Sequence, residues 1–251
     1  MNCATLKQNL RLIDIIRCPL KPEPICLPLK MNKVLLSASI LVVASVTALS
    51  AYAQEIKGDA LAGSKKNALC VGCHGIVGYH IGFPEVHLVP KISGQGAKYI
   101  SAALGAYKKG DRKHPSMKTV AASLTEQDIA DLAAYYETSG SATASVAPAE
   151  AAAGTVKAME LVAKGGCTAC HGVNFSKPID PTYPKIAGQH SDYLYVALKS
   201  YRITDKPQIG RSHPIMGGIA KQFSNADMKE LANYVGSLPG ELQTVQPSRF
   251  R

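Results

Sequence analysis

The strongest constraint on this chain of 251 residues is that it contains the same pattern twice. CVGCHG at 70–75 returns as CTACHG at 167–172, an offset of 97. PKISGQ at 90–95 returns as PKIAGQ at 184–189, an offset of 94, and HPSM at 114–117 returns as HPIM at 213–216, an offset of 99. Between these anchors Tyr99, Leu104 and Tyr107 answer Tyr193, Leu198 and Tyr201, and further on Tyr135 answers Tyr234. Offsets that drift by a few residues are what loop insertions produce between copies of one fold, so the chain reads as two homologous domains. The stretch 141–154, SATASVAPAEAAAG, is small, Ala-rich and interrupted by Pro, and reads as a linker between domains at 54–140 and 155–245.

Each copy reads as all-α. A short amphipathic helix leads to the cysteine motif, Asp59 to Leu69 in one copy and Val156 to Ala163 in the other. A second follows the GQ step, with Tyr99, Ala103 and Tyr107 on one face. The last is the clearest: Ser123 and Glu126 have capping-box spacing ahead of a stripe of Ile129, Leu132, Ala133 and Tyr136. Its twin starts at Ser224 with Asp227 and continues through Met228, Leu231 and Val235. Strand signals are weak throughout.

The N-terminus reads as targeting rather than fold. From Met31 a short basic start at Lys33 precedes an uncharged run of 16 residues, Val34 to Leu49, and a small-x-small end at Ala51–Ala53. That is a secretory signal over 31–53 cleaved before Gln54. The apolar run is short of the roughly 20 residues a membrane span needs, although an uncleaved signal would leave the protein membrane-associated. Residues 1–30 carry four prolines and three cysteines and match no part of a signal, which suggests that translation starts at Met31 and that 1–30 is a spurious or non-structural extension. The exported chain then retains only Cys70, Cys73, Cys167 and Cys170.

Those cysteines carry the chemistry. Cys-x-x-Cys-His is the attachment motif of c-type haem. Two thiols three residues apart can form thioethers to the porphyrin's two vinyl groups, and the next residue, His74 or His171, lies under the ring with a nitrogen for iron. A zinc ribbon places its CxxC pairs about 15–20 residues apart, whereas these are separated by nearly a hundred. A redox dithiol has no need of a following His twice over. Two covalently bound haem c groups, with iron, are therefore expected. For the opposite face of the iron, Met117 and Met216 follow the motif histidines by 43 and 45 residues in a duplicated HPxM context, with His114 and His213 as competitors. Met159 and Met228 fall inside expected helices and read as core. His80 and His87 have no counterpart in the second copy and read as loop residues.

The doubled CxxCHG, the PKIxGQ step, the HPxM loop and the LTEQDIADLAAYY helix resemble dihaem class I cytochromes c, most closely the cytochrome c4 family, over nearly all of the exported chain. The resemblance implies two tandem cytochrome c folds, each a small helical bundle around one haem, packed about a pseudo-two-fold axis. It implies His/Met iron in both and periplasmic electron transfer, often toward a terminal oxidase. It also assigns the carbonyls of Pro90 and Pro184 to hydrogen-bond the proximal histidines. The chain departs from many class I cytochromes in having no Pro soon after either Met.

A thioether favours ferrous iron, so a His/Met haem has a relatively high potential, and six-coordinate iron leaves no place for a substrate. An electron carrier follows, with redox-protein partners: a quinol–cytochrome c reductase or dehydrogenase as donor and a terminal oxidase as acceptor. The alternative is the cytochrome subunit of a dehydrogenase or a dihaem thiosulfate-oxidising enzyme. The net charge of +10 is spread thinly, and nucleic acid is not an expected partner of an exported protein with two haem motifs. Lys108, Lys109, Arg112, Lys113 and Lys118 near the first Met, with Lys199, Arg202, Lys206 and Arg211 near the second, form a possible basic rim for acidic partners.

Overall fold

The structure is a computed structural model that describes residues 56–140 and 155–246. The proposed extension 1–30, signal 31–53 and linker 141–154 lie outside the described residues. Among the described residues, no helix is long and apolar enough to cross a membrane.

The first repeat contains α1 (Ala60–Lys66), α2 (Ala68–His74), α3 (Ala97–Lys109), α4 (Pro115–Ala122) and α5 (Glu126–Thr138). The second contains α6 (Val156–Gly165), α7 (Cys167–His171), α8 (Ser191–Ser200), α9 (Pro214–Ala220) and α10 (Asn225–Ser237). Four strands of two residues each, β1 (His80–Ile81), β2 (His87–Leu88), β3 (Arg112–Lys113) and β4 (Gly210–Arg211), complete a mostly helical fold.

Local chemistry explains most boundaries. The Asp59 carboxylate accepts from the N–H groups of Leu61 and Ala62 and starts α1. Asn67 then interrupts the chain, so the single helix expected before the cysteines is two, and the motif itself lies on α2. α3 ends at Gly110 in a left-handed conformation. The capping box of α5 is formed by Thr125 and Asp128, not by Ser123 and Glu126. Thr125 is the repeat equivalent of Ser224, which caps α10 with Asp227 as expected.

The last helix of each repeat organises the core. α5 packs on α1 and α3, and α10 packs on α8 and α6. Ile129, Leu132, Ala133 and Tyr136 are buried on α5, as are Met228, Leu231 and Val235 on α10. Full burial of a side chain such as Leu132 contributes roughly 1.5–3 kcal/mol. Met159 is not core as expected: it is 59% exposed on the outer face of α6.

Lys66 on α1 reaches Asp128 at 2.6 Å and Asp131 at 2.8 Å on α5. The ammonium holds both carboxyls below their ordinary 3.8, helped by the Thr125 bonds at Asp128 and the Asp59 N–H at Asp131. A carboxyl with a depressed folded-state pKa stabilises above its unfolded value and loses that contribution as the pH falls through the folded value. Lys66→Met should therefore destabilise the first repeat at neutral pH. Its urea midpoint should converge on that of the parent between about pH 5 and pH 1. A gap that stays constant through the acid range would show that the ion pairs contribute nothing.

The two repeats meet through their shared motifs. Gln189 Nε2 donates to the Lys91 carbonyl at 2.8 Å while the Lys91 N–H donates to Gln189 Oε1 at 2.9 Å. Gln95 and Lys185 make the mirror pair at 2.9 and 3.0 Å. Lys91 Nζ donates to the Gly188 carbonyl and Lys185 Nζ to that of Gly94. Each PKIxGQ segment thus reads the other's backbone, as in a self-complementary two-fold contact. The glycines permit it. Gly94 and Gly188 have φ of +83° and +70°, and a Cβ on Gly94 would stand 2.4 Å from the Glu241 carbonyl oxygen.

Three further links cross the junction. β3 pairs antiparallel with β4, Arg112 opposite Arg211. The β1–β2 hairpin of the first repeat reaches α8, where the Leu88 N–H donates to Asp192 at 2.8 Å and Glu85 pairs with Lys199 at 2.7 Å. In return the C-terminal tail crosses to the first repeat, with Leu242 buried and the Gln243 N–H donating to the Ser93 carbonyl at 3.0 Å.

Candidate cofactor sites

One continuous cavity of about 620 Å³ runs through both repeats. The sequence-selected Cys70, Cys73, His74, Pro90 and Met117 line it, and so do Cys167, Cys170, His171, Pro184 and Met216. Its two halves are built alike. Apolar side chains such as Ile92, Ile100, Leu104 and Leu132 wall the first, and Ile186, Leu194, Leu198 and Leu231 wall the second.

His74 ends α2, and its Nδ1 lies 2.8 Å from the Pro90 carbonyl oxygen. His171 ends α7, with Nδ1 3.0 Å from the Pro184 carbonyl. A carbonyl can only accept, so Nδ1 carries the proton and Nε2 keeps its lone pair. Burial pulls both imidazoles below their ordinary titration range, against the opposing effect of the carbonyl bonds. Both rings are therefore held neutral and turned by a fixed hydrogen bond, the arrangement in which imidazole ligates iron. Among the described residues, none of Cys70, Cys73, Cys167 and Cys170 is in a disulfide. Burial raises the Cys70 and Cys167 thiols above their ordinary range.

Met117 and Met216 occupy the same place in their repeats, the third residue of α4 and of α9, behind a helix-starting Pro115 or Pro214. The competitors differ from one another. His213 accepts the Met216 N–H at 3.3 Å and caps α9 with its Nδ1. His114 makes no such cap, and both of its ring nitrogens are shielded without a hydrogen bond.

Two other residue groups depart from the sequence reading. His87 is no loop bystander: it is 3% exposed in β2, with its ring 6.2 Å from that of Tyr193. His80 is exposed, but it lies in β1 rather than in a loop. Arg112 and Arg211 do not belong to an outward basic rim. They are partly buried at the junction, where Arg112 donates to the hydroxyls of Tyr193 at 2.7 Å and Tyr99 at 3.2 Å, and Arg211 donates to Tyr193 at 3.1 Å. Arg112 also lies over the Tyr107 ring at 4.6 Å and Arg211 over Tyr201 at 5.4 Å. Burial raises Tyr193, but the two guanidiniums more than reverse this and bring its phenol down to about 8. The sequence did contain the signal, since RKHPSM and RSHPIM extend the repeat by one arginine each.

These residues fit haem on the structure's own terms. Each repeat offers two unpaired thiols one helical turn apart, a neutral imidazole with a free Nε2, a thioether and an apolar wall. The junction adds two cations that line the cavity, with Arg112 Nε shielded and lacking an acceptor. A tetrapyrrole bearing carboxylates supplies what such groups require. Two covalent sites of this kind on a helical repeat define a dihaem c-type cytochrome.

Comparison with known proteins agrees. The cytochrome c family profile matches residues 57–139 and 156–239. The chain is 32% identical over 225 residues to cytochrome c4 of Azotobacter vinelandii, covering 83% of this chain and 100% of that one. The same identity and coverage hold for cytochrome c4 of Stutzerimonas stutzeri. The fold is similar to the crystal structure of reduced recombinant cytochrome c4 from Pseudomonas stutzeri, with a TM-score of 0.55 and 29% identity over 72% of this chain and 99% of that one. The chain belongs to the cytochrome c family, and within it to the dihaem cytochromes of the c4 type. It carries two covalent haem c groups, at Cys70/Cys73 and Cys167/Cys170, and is an electron carrier rather than an enzyme.

Proposed function

We propose that this cytochrome is a periplasmic carrier that takes electrons from a quinol–cytochrome c reductase or a dehydrogenase and delivers them to a terminal oxidase. Its signal would be residues 31–53 and its domains 54–140 and 155–245, joined by 141–154. His74 with Met117 and His171 with Met216 hold the irons, and Pro90 and Pro184 fix the two imidazoles. The observation that carries this reading is the duplication of the whole donor set around one cavity, down to the Pro-led helix that presents each Met.

Bound haem supplies one-electron iron chemistry, and the protein supplies everything that makes the electron's passage easy. The Pro90 and Pro184 carbonyls keep the imidazole rings from turning. The apolar walls exclude water, which limits the reorganisation that accompanies a change of charge. The guanidiniums of Arg112 and Arg211 offset carboxylate charge at the junction. With those two arginines turned inward, an acidic partner would meet the exposed Lys109, Lys118, Arg202 and Lys206 instead.

The test is carbon monoxide binding to the haem-loaded, reduced protein, followed in the visible spectrum. The expected result is an unchanged spectrum, since His74 with Met117 and His171 with Met216 would leave no open position on either iron. Ready binding at one haem would mean an open iron, would remove Met117 or Met216 from the ligand set, and would favour the enzyme-subunit alternative.

A further inference from the structure

The two cavity halves differ in kind at exposed Ser116 against Ile215 and, among buried residues, on the last helix. Tyr136 on α5 stands where α10 carries Val235, the register being fixed by Tyr135 and Tyr234. Both residues line the cavity and both are buried, at 5% and 6% exposure. Tyr136 belongs to the cluster of Ile100, Leu132 and Ala133, against which Cys70 packs. Its hydroxyl is shielded from water and has no hydrogen-bond partner. Burial raises both Tyr136 and Cys70, and the neighbouring phenol draws the Cys70 thiol part of the way back down. The second repeat has a hydrocarbon at this place.

We propose that the Tyr136 hydroxyl sets the potential of the first haem apart from that of the second, its O–H dipole pointing at the Cys70 sulfur and the ring edge attached there. Tyr136 is a positioning residue for charge rather than a ligand. An O–H whose positive end faces the ring lowers the energy of an added electron, and does so effectively in an apolar wall where little screens it. Val235 carries no dipole of this kind, so the buried walls of the last helices present different fields to the two haems. The inference rests on covalent attachment at Cys70.

The experiment is Tyr136→Phe in the full, haem-loaded protein, with the two potentials measured by spectroelectrochemistry and assigned through the haem methyl NMR signals. Phe keeps the ring and its packing and removes only the hydroxyl. The equilibrium constant for reducing the first haem should fall about threefold to tenfold, the upper limit being 59 mV for one electron. The second haem should change less than twofold. Tyr136→Val, which gives the first wall the residue of the second, should shift the first haem in the same direction. An unmoved or raised potential in Tyr136→Phe, or equal shifts at both haems, overturns the proposal. An intact mass lacking the first haem overturns the attachment reading and this proposal together, whereas a fully loaded protein with unmoved potentials overturns this proposal alone.

Discussion

Met117→His should lower the potential of the first haem by a few tenths of a volt and leave the second nearly unchanged. Axial ligands span roughly 0.8 V of haem potential, and a thioether lies toward the high end because it favours ferrous iron over ferric. Imidazole donates more strongly and favours the oxidised state. The substitution should spare the fold. Position 117 is the third residue of a helix whose start is set by Pro115, and the residue is only partly buried. The same variant separates Met117 from His114. If His114 is the ligand, replacing Met117 leaves the potential where it was, and His114→Ala produces the large change. Redox titration of each variant, with the ligand-to-iron band near the red end of the spectrum as an independent readout, decides between them.

What the sequence made legible was whatever repeats or is local. The cysteine motif, the Pro-led Met helix and the buried stripe of α5 lie within a dozen residues of their own signals, and a second copy checks each. The structure adds what no local pattern encodes. Gln95 and Gln189 look like ordinary polar loop residues until each is seen to hold the other repeat's backbone. The sequence places Arg112 and Arg211 on a rim because they sit among the lysines and arginines beside the two Met loops. They face inward because β3 and β4 pair across the junction and two tyrosines receive their donors. His87 was set aside for lacking a twin, yet that absence marks the hairpin that joins the first repeat to α8. The Thr125 cap could have been read from the repeat itself, since Ser224 at the equivalent position has the correct spacing.

The chain with Cys70, Cys73, Cys167 and Cys170 changed to Ala, and hence unable to retain haem covalently, should lose its fixed tertiary structure. The reason lies in where its apolar residues point. In the first repeat only Ile100, Leu132, Ala133 and Tyr136 form a buried cluster, and every one except Ala133 also lines the cavity. Without haem those side chains would line an open space of some 620 Å³ and lose the apolar burial that the cofactor provides, roughly 1.5–3 kcal/mol for each large side chain. Two neighbouring guanidiniums that share the Tyr193 phenol, with no carboxylate partner among the described residues, add to the cost at the junction. The variant should therefore keep much of its far-UV helical signal, lose its near-UV signal and unfold in urea without a sharp transition. Changing only Cys70 and Cys73 should loosen the first repeat while the second keeps its haem. That repeat should still be destabilised, because half of the PKIxGQ contact then rests on a disordered partner. Native-like near-UV dichroism in the fourfold variant would mean that the protein shell stands without its cofactors, and the cavity would then have to be far better supported by protein contacts than its lining indicates.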